Sequence, residues 1–443
     1  MTIESLPLSL QPLVQEKFLD RHFAVGLQSR LGFRAIADRE SIAIGNGETL
    51  TKTRAGLLMP VTAPLDPATN LGLDNGVPSQ NWGVEQYTVT LNAYGGTMDL
   101  NIETSRVAIG SLFIENSKTL GVQALQSLDR LARNALYGVY LGGSSFVMVS
   151  PGADVTRLGI DNVVGFEAVH GPTGMVPVSS ANPMTVSVGS GTYTVIGAAR
   201  DSPNTSSLAA FGGASGTITV SAAVPMTDSG AGSPVVSAVA PTILRPNNRP
   251  GTAQLIDGDR LTSQLVLAAV AQLRDNNVPD IDGYYNCYLD NVTLLELFQD
   301  PDFKLLYSGA YGSEAYSEGQ VPSLLGVRFI NTTEAPQQTL ALTGKSIHRA
   351  ILCGQGALIE GGYAGLGHSD LDPVQDPGQQ LKHWVDGVCL VVRRPIDRFQ
   401  EIVSQSWKWR GGFTVPTDIT ADSTIIPTAS LSYWKRAVVI ECL

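Results

Sequence analysis

The chain has 443 residues, more than one hydrophobic core usually organises, so we expect two or three domains. Hydrophobic residues make up 43% of it and charged residues 16%, which is typical of a globular protein with much of its surface against other protein, or of a large β-rich protein. The net charge of −11 and the isoelectric point near 5.0 argue against a dedicated nucleic-acid binder, because neutralising phosphates takes clustered Lys and Arg.

Cysteine usage and hydropathy argue against further classes. The four cysteines, Cys287, Cys353, Cys389 and Cys442, form no CxxC pair, so neither a zinc site nor a disulfide framework is indicated. We expect reduced, mostly buried thiols. The first residues show no secretory signal pattern, and the longest apolar helical candidate, Leu265 to Leu273, is too short to span a membrane. We therefore expect no membrane association.

Residues 1 to 47 are predicted to form an N-terminal arm. Leu13 to Phe23 follow a helical pattern after Pro12, a residue suited to the first turn of a helix. Phe18 and Phe23 both lie in this predicted helix.

Residues 48 to 96 alternate in short β-like runs that are broken by prolines and by a turn at Asn75-Gly76. Thr88 to Leu91 is the return limb of a long hairpin, which has no core of its own and needs a surface to lie on. An irregular insertion packed on its own domain is the alternative. Lys52 and Arg54 lie on the first limb of the hairpin.

The longest helical pattern runs from Ser105 to Tyr140 and dominates residues 97 to 142. Leucines and alanines recur at spacings of three and four between Leu125 and Val139, which predicts one continuous apolar stripe. Asp129 and Arg133 lie off that stripe. Three glycines weaken the pattern, so we expect a long helix with an irregular first part.

Between residues 143 and 241 the chain becomes rich in Gly, Ser, Thr, Val and Ala. Met184 to Val188, Tyr193 to Gly197 and Thr217 to Ala222 alternate as short strands separated by Gly and Ser turns. This pattern predicts a small β-sandwich or barrel inserted between two halves of another domain. A flexible Gly/Ser linker is the alternative.

Residues 242 to 383 resume a mixed helix and strand pattern. A helix is predicted from Leu261 to Arg274, and a strand from Ile347 to Cys353. Asp280 and Asp282 are interpreted as turn formers, because further oxygen ligands at calcium-loop spacing are missing.

The stretch from Tyr284 to Pro336 is the most informative of the chain and is predicted as a strand, a helix, a long polar loop and a second strand. Tyr284 to Leu289 is β-favouring, and Asp290 can cap the helix that follows. That helix must stop before Pro301, because the residue preceding a proline is pushed out of the α region. The second strand is predicted from Leu325 to Thr332.

The last segment, residues 384 to 443, carries clear strand patterns. WVDGVCLVVRR predicts a strand, a turn and another strand, followed by a longer strand or a strand and a helix. Ser430 to Glu441 alternates to the end, so we expect the C-terminus to lie in a sheet rather than to fray.

No catalytic or cofactor motif stands out. The five histidines are scattered, and the patterns GxSxG and HExxH are absent. Gly361 to Gly367 lacks the Walker and Rossmann spacings, and His368 with Asp370 is interpreted as a surface turn rather than as part of a triad. We predict no enzymatic activity, no cofactor and no metal site.

Three motifs in order, YYNCYLD, LFQDPDF and GVRFINTTEAP, resemble the axial-domain core of tailed-phage major capsid proteins with the Hong Kong 97 fold, most closely the podovirus-type branch. The likeness extends over most of the chain outside residues 143 to 241, which would be an inserted all-β domain. The resemblance implies an α+β fold with these parts: an N-terminal arm (1–47), an extended loop (48–96), a peripheral domain with a spine helix (97–142), an axial domain (242–383) and a return to the peripheral and axial core (384–443).

The resemblance also implies function. The chain would self-assemble into hexamers and pentamers of an icosahedral head in the host cytoplasm and enclose double-stranded DNA by non-specific proximity. A portal protein and an optional decoration protein would be partners, and the short arm would imply a separate scaffolding protein. Lys52, Arg54, Phe18 and Phe23 would be assembly contacts. Some relatives crosslink through a loop lysine, whereas a solvated charge is the simpler interpretation of Lys52.

Two other functions stay open. One is the shell of a cellular nanocompartment with the same fold, which a cargo enzyme encoded beside it would favour. The other is a soluble multidomain binding protein or enzyme whose β-rich insert carries a ligand site.

Overall fold

The computed structural model describes residues 22–23, 32–42, 48–55, 58, 61, 64, 84–102, 109–171, 174–305, 325–363, 380–393, 395, 397–419 and 430–443. Several predicted features lie outside these residues: most of the helix around Phe18, most of the hairpin tip, the polar loop before residue 325, and the turn at His368. The chain divides into two compact units. The first unit is Met1–Leu50, Thr88–Ala135 and Leu358–Thr414; the second is Thr51–Tyr87, Leu136–Ala357 and Val415–Leu443.

The described residues mix helices and strands, as the predicted α+β class requires. The helices are α1 (Ile109–Tyr140), α2 (Ser263–Asp275) and α3 (Asn291–Gln299). The strands are β1 (Asp38–Ile42), β2 (Thr49–Ala55), β3 (Val84–Thr90), β4 (Asn92–Asn101), β5 (Ser144–Phe146), β6 (Val155–Ile160), β7 (Ala168–Gly171), β8 (Gly174–Pro177), β9 (Met184–Val188), β10 (Gly191–Arg200), β11 (Gly216–Val224), β12 (Pro234–Ser237), β13 (Ile243–Leu244), β14 (Tyr285–Leu289), β15 (Val327–Asn331), β16 (Gln337–Thr339), β17 (Ser346–Cys353), β18 (Ile359–Tyr363), β19 (Gln380–Val385), β20 (Val388–Arg393), β21 (Ile402–Thr414) and β22 (Ala437–Cys442).

The first unit packs the long helix α1 against a six-stranded sheet with the order β1-β18-β21-β20-β19, in which β4 also pairs with β21. Leu120, Ala124 and Leu128 of α1 are fully buried against the tryptophans of β21 and the apolar side chains of β20. The predicted apolar stripe of the helix is confirmed. The expected irregularity does not appear from residue 109 onward, because α1 runs unbroken through its three glycines.

Two charged side chains of α1 are buried rather than solvated. Asp129 and Arg133, which the apolar stripe leaves out, are each only 7% exposed. The carboxylate of Asp129 accepts the backbone N–H of Arg34 at 3.1 Å. A Cβ on Gly32 would lie 2.0 Å from Oδ1 of Asp129, so only glycine permits this approach. The apolar stripe of a helix predicts which face is buried in a core. It could not predict that residues 32 to 36 cover the side of α1 that carries Asp129.

Residues 38 to 42 belong to the sheet of the first unit. Strand β1 pairs in parallel with β18, from Asp38 opposite Ile359 to Ile42 opposite Tyr363. Just before it, the buried guanidinium of Arg34 binds the carboxylate of Glu360 with Nε and Nη2, at 2.9 and 2.6 Å. This part of the predicted arm is therefore fixed to its own unit.

In the second unit, six antiparallel strands between residues 144 and 237 form a sheet with the order β5-β12-β9-β10-β11-β6. Its two edge strands meet, because Val147 bridges Ile160 and the N–H of Met148 donates to the carbonyl of Gly159 at 3.0 Å. The sheet therefore closes into a barrel, which leaves no free strand edge. Valines and isoleucines fill it. The three strands predicted here are confirmed as β9, β10 and β11, and the flexible-linker alternative is wrong.

The chain passes into and out of this barrel at neighbouring points. The N–H of Ser237 donates to the carbonyl of Gly143 at 2.7 Å, and a Cβ on Gly143 would lie 3.1 Å from the Cβ of Ala240. Adjacent chain ends are what an inserted domain requires. They support the interpretation of residues 143 to 241 as an insertion, although the proposed domain boundaries stay predictions.

The rest of the second unit is built on a sheet with the order β13-β22-β17-β14-β15, to which β16 adds by pairing with β17. The helices α2 and α3 pack on it around a core that includes Leu273, Leu297 and Phe303. The predicted cap is confirmed, because the carboxylate of Asp290 accepts the N–H of Thr293 at 2.8 Å. The C-terminal strand β22 is entirely buried within this sheet, whereas β19 to β21 lie in the first unit with α1.

Candidate functional site

The hairpin predicted from residues 48 to 96 is present as a two-stranded sheet of β2 and β3. Leu50, Tyr87 and Val89 are its buried apolar side chains. Farther out along the hairpin, Leu58 and Val61 are 55% and 71% exposed. A two-stranded hairpin is marginal alone and needs a further surface to lie on. The hairpin is therefore the candidate element for contact with another molecule.

A cluster of polar side chains in the second unit, which we call the hairpin anchor, holds the hairpin where Arg54 and Glu85 lie on its two limbs. The hairpin anchor consists of Arg54, Glu85, Gly356, Thr417, Asp418 and Arg436. Asp418 is only 1% exposed, and its Oδ1 accepts from Arg54 Nη1 at 3.0 Å and from Arg436 Nε at 2.8 Å. One buried carboxylate thus holds two guanidiniums.

Backbone carbonyls complete the hairpin anchor. Nη2 of Arg54 donates to the carbonyl of Gly356 at 2.6 Å, and Nη1 of Arg436 donates to that of Gln355 at 3.1 Å. Gly356 has a φ of 74°, and a Cβ there would lie 3.0 Å from Nη1 of Arg436. Glycine is the residue that fits both the backbone conformation and the close guanidinium.

The second limb of the hairpin contributes Glu85. Its Oε1 accepts the hydroxyl of Thr417, and its Oε2 is buried. Burial raises the pKa of Glu85 to about 8; the charge of Arg54 opposes this shift and that of Asp418 adds to it. The side chain is therefore mostly protonated at neutral pH, which makes the base of the hairpin sensitive to pH.

The four residues predicted as assembly contacts fall in different environments. Arg54 is in the hairpin anchor, where its ion-pair partner is Asp418 of the same chain. Lys52 is half-buried and lies two residues before Arg54, on the same face of β2. Phe23 is fully buried in the core of the first unit, and Phe18 lies outside the described residues. Their contact with a neighbouring subunit stays a prediction.

Sequence reasoning missed the partners of Arg54. Asp418 lies 364 positions further along the chain, and Arg436 lies 18 beyond that. The only local signal is the alternation of β2 itself, which places Leu50, Lys52 and Arg54 on one face. That pattern shows that Arg54 faces the same way as a buried leucine, but not what it binds.

Other kinds of site find little support in the part of the chain that the structure covers. Among the described residues, there is no group of three His, Cys, Asp or Glu side chains able to hold a metal ion. All four cysteines are free and buried, and burial raises the pKa of the Cys287 and Cys353 thiols. No helix in the described ranges is long and apolar enough to cross a bilayer.

Comparison with known proteins identifies the fold. No family model and no curated protein sequence matches the chain. Among solved structures, the chain is similar to the capsid of Ralstonia phage GP4, with a TM-score of 0.51 and 10% identity over 92% of this chain and 87% of that one. The capsids of cyanophages Pam1 and P-SCSP1u give TM-scores of 0.48 and 0.46, each at 10% identity, and cover 95% and 93% of this chain and 91% and 88% of theirs.

The chain therefore has the Hong Kong 97-type fold of tailed-phage capsid proteins. The fold class expected from the three motifs is confirmed. Its assignment to the podovirus-type branch stays a prediction.

Proposed function

We propose that this chain is the major capsid protein of a tailed phage, which assembles into hexamers and pentamers of an icosahedral head around double-stranded DNA. The observation that carries the proposal is the fold, which matches the capsid of Ralstonia phage GP4 over 92% of the chain. Because that likeness reaches both compact units, it is not the sharing of a single common motif.

The hairpin supports an assembly role. Its base is held by the ion pairs of Asp418, while Leu58 and Val61 beyond the base are exposed. An element fixed at one end and apolar beyond it suits a contact with the adjacent subunit. Each such contact is modest, and closing many copies into a symmetric shell multiplies them.

The proposed partners follow from a phage head. We propose a portal protein, a separate scaffolding protein and an optional decoration protein, with the finished chain located in the virion after assembly in the host cytoplasm. The net charge of −11 suits a container wall, because a wall that repels DNA does not bind its contents tightly.

Sedimentation velocity of the purified protein, alone and coexpressed with its neighbouring genes, tests this function. We expect particles far larger than one subunit, with portal and terminase genes encoded nearby. Large particles beside a cargo-enzyme gene, without portal or terminase, would indicate a cellular nanocompartment instead. A monomer under both conditions would contradict any shell function and favour a ligand-binding protein.

A further inference from the structure

The two limbs of the hairpin are attached by different kinds of bond to the same short segment, residues 416 to 418. On β2, Arg54 donates to the carboxylate of Asp418 at 3.0 Å and to the carbonyl of Gly356 at 2.6 Å. On β3, the side chain of Glu85 has one hydrogen-bond partner in the described part of the chain, the hydroxyl of Thr417, which donates to Oε1. A permanent charge therefore holds β2, whereas one hydrogen bond holds the side chain on β3.

The carboxyl group of Glu85 is poorly placed to carry a charge. Its second oxygen, Oε2, is buried and has no hydrogen-bond partner among the residues that the structure describes. Burial is the main cause of its raised pKa, and the charge of Asp418 adds to this shift against the opposing charge of Arg54. An ionised Glu85 would be a half-solvated carboxylate with one donor and a second carboxylate beside it. Moving into water would relieve both costs.

The position of Glu85 in its strand makes such a movement local. Glu85 is the second residue of β3, which begins at Val84. Tyr87 and Val89, farther along the strand, are buried and hold the rest of it. The ends of elements open at a lower free energy than their buried interiors do. The first residues of β3 can therefore separate while the remainder of the strand stays in place.

We propose that Glu85 and Thr417 form a pH-controlled latch on the hairpin, which we call the hairpin latch. With Glu85 neutral, the start of β3 stays on residues 416 to 418. With Glu85 ionised, the start of β3 separates from this segment while Arg54 keeps β2 attached. The inference goes beyond the proposed function, because it concerns a single subunit. For a hairpin that contacts another subunit, the hairpin latch sets the pH range in which the start of β3 is held in place.

Further titratable groups lie in the same cluster. Asp418 also accepts the backbone N–H of Lys435 and Nε of Arg436, at 3.3 and 2.8 Å, both from the segment before β22. Tyr140 ends α1 near these charges, and burial raises its pKa well above the usual range. Burial lowers the pKa of Lys435, and the charge of Asp418 opposes this shift. Lys435 therefore also responds to rising pH, and a test of Glu85 must leave it in place.

Nitroxide spin labels on the two limbs test the hairpin latch. All four native cysteines are buried, so the reagent reacts selectively with a cysteine introduced at an exposed position. Val84→Cys places a label beside Glu85 on β3, and Thr53→Cys places one beside Arg54 on β2; both positions are exposed. With a pKa of about 8, Glu85 is ionised in about one tenth of the molecules at pH 7 and in about nine tenths at pH 9. We expect the mobile fraction of the Val84→Cys label to rise accordingly, while the Thr53→Cys label stays unchanged.

Glu85→Gln supplies the matched control. Glutamine has nearly the shape of neutral glutamic acid, keeps an oxygen that accepts the hydroxyl of Thr417, and does not ionise. In this background the Val84→Cys label should stay immobile at both pH values. Lys435 and the other titratable groups are retained, so the difference between the two proteins measures Glu85 alone.

Three outcomes would overturn the hairpin latch. The first is a label at position 84 whose mobility does not change between pH 7 and pH 9. The second is an equal rise in mobility with and without Glu85→Gln. The third is an equal rise at positions 53 and 84, which would show that the whole hairpin separates. The spectra are recorded on unassembled subunits, so a failure to form shells would contradict the capsid function without changing this result.

Discussion

Arg349 and Glu441 face each other across the antiparallel ladder of β17 and β22, and Nε of Arg349 donates to Oε1 of Glu441 at 2.8 Å. Each residue is only 1% exposed. The other carboxylate oxygen accepts from Arg245 Nε at 2.7 Å and from the hydroxyl of Thr252 at 2.8 Å. Burial alone would raise the pKa of Glu441, but the charges of Arg245 and Arg349 outweigh it and lower the pKa to about 2.

Removing the charge of Glu441 should destabilise the subunit strongly. Glu441→Gln leaves two buried guanidiniums without a counter-charge, so we expect a loss of about 3 kcal/mol in the free energy of unfolding. The matched control is Glu167→Gln, which breaks the exposed pair with Arg200 and should cost less than about 1 kcal/mol. Urea unfolding of unassembled subunits measures both. Equal losses would show that the buried carboxylate stabilises the subunit no more than the exposed one does.

The hairpin anchor predicts a dependence of stability on pH. The pKa of Glu85 is about 8 in the folded chain and lower when unfolded, so the folded chain binds the extra proton. Stability from this group is greatest below the unfolded pKa and falls as pH rises toward 8. Glu85→Gln mimics the neutral form and should remove this fall.

Thermal melting at pH 5.5 and 8.5 checks the Glu85 prediction. The melting temperature of Glu85→Gln should drop less between the two pH values than that of the unsubstituted chain. Glu48→Gln, at an exposed position at the start of the hairpin, should behave like the unsubstituted chain. An unchanged pH response in Glu85→Gln would be evidence against a protonated Glu85.

Two histidines should have pKa values on opposite sides of the ordinary histidine pKa. The hydrogen bond that His348 Nδ1 donates to the carboxylate of Asp290 raises the pKa of His348, whereas burial lowers the pKa of His170. Stability from protonated His348 is present below pH of about 6.5 and is lost as pH rises through its raised pKa. NMR titration of the two imidazoles measures this, with His170 as the internal control. A pKa of His348 below that of His170 would refute the buried ion pair.

Removing the barrel should leave a folded but weakened second unit. Phe146 packs on Leu340 and Ile347 outside the barrel, and Nε2 of Gln338 donates to Asp161 at 3.1 Å. Replacing residues 144 to 240 by a Gly/Ser linker uncovers these partners, so we expect a lower melting temperature with a retained cooperative transition. The same replacement exposes the apolar side chains of Leu340 and Ile347 and should make the variant less soluble. Adding Leu340→Ser and Ile347→Ser should restore its solubility. Complete loss of cooperative unfolding would show that the barrel is integral to the core.

Most of the helices and strands could be predicted from local sequence patterns. The 3.6-residue period predicted α1, the alternation in residues 184–188 predicted β9, and an aspartate before a helical run predicted the cap at Asp290. Each of these signals lies within a few residues of the feature it specifies. The β20 hairpin follows the same rule, since Asp386-Gly387 supplies the two positive φ angles of its turn.

Long-range partnerships could not be predicted. The period of α1 marks Asp129 as polar, yet it carries no information on the backbone of Arg34, 95 positions away, that binds it. Likewise, the alternation of β2 places Arg54 on a face but does not name Asp418. The chain topology determines which charged side chains come together. A single sequence shows which charged residues are present, but not which of them pair.

Negative-stain electron microscopy of the intact chain, beside a variant that lacks residues 64 to 78, shows whether the chain forms shells and whether the hairpin is needed for them. The deletion removes the segment that joins the two limbs of the hairpin and spares Arg54, Glu85 and the rest of the hairpin anchor. We expect closed shells from the intact chain and soluble, folded subunits without shells from the deletion. Uniform monomers from the intact chain, with or without its neighbouring genes, would contradict the capsid function.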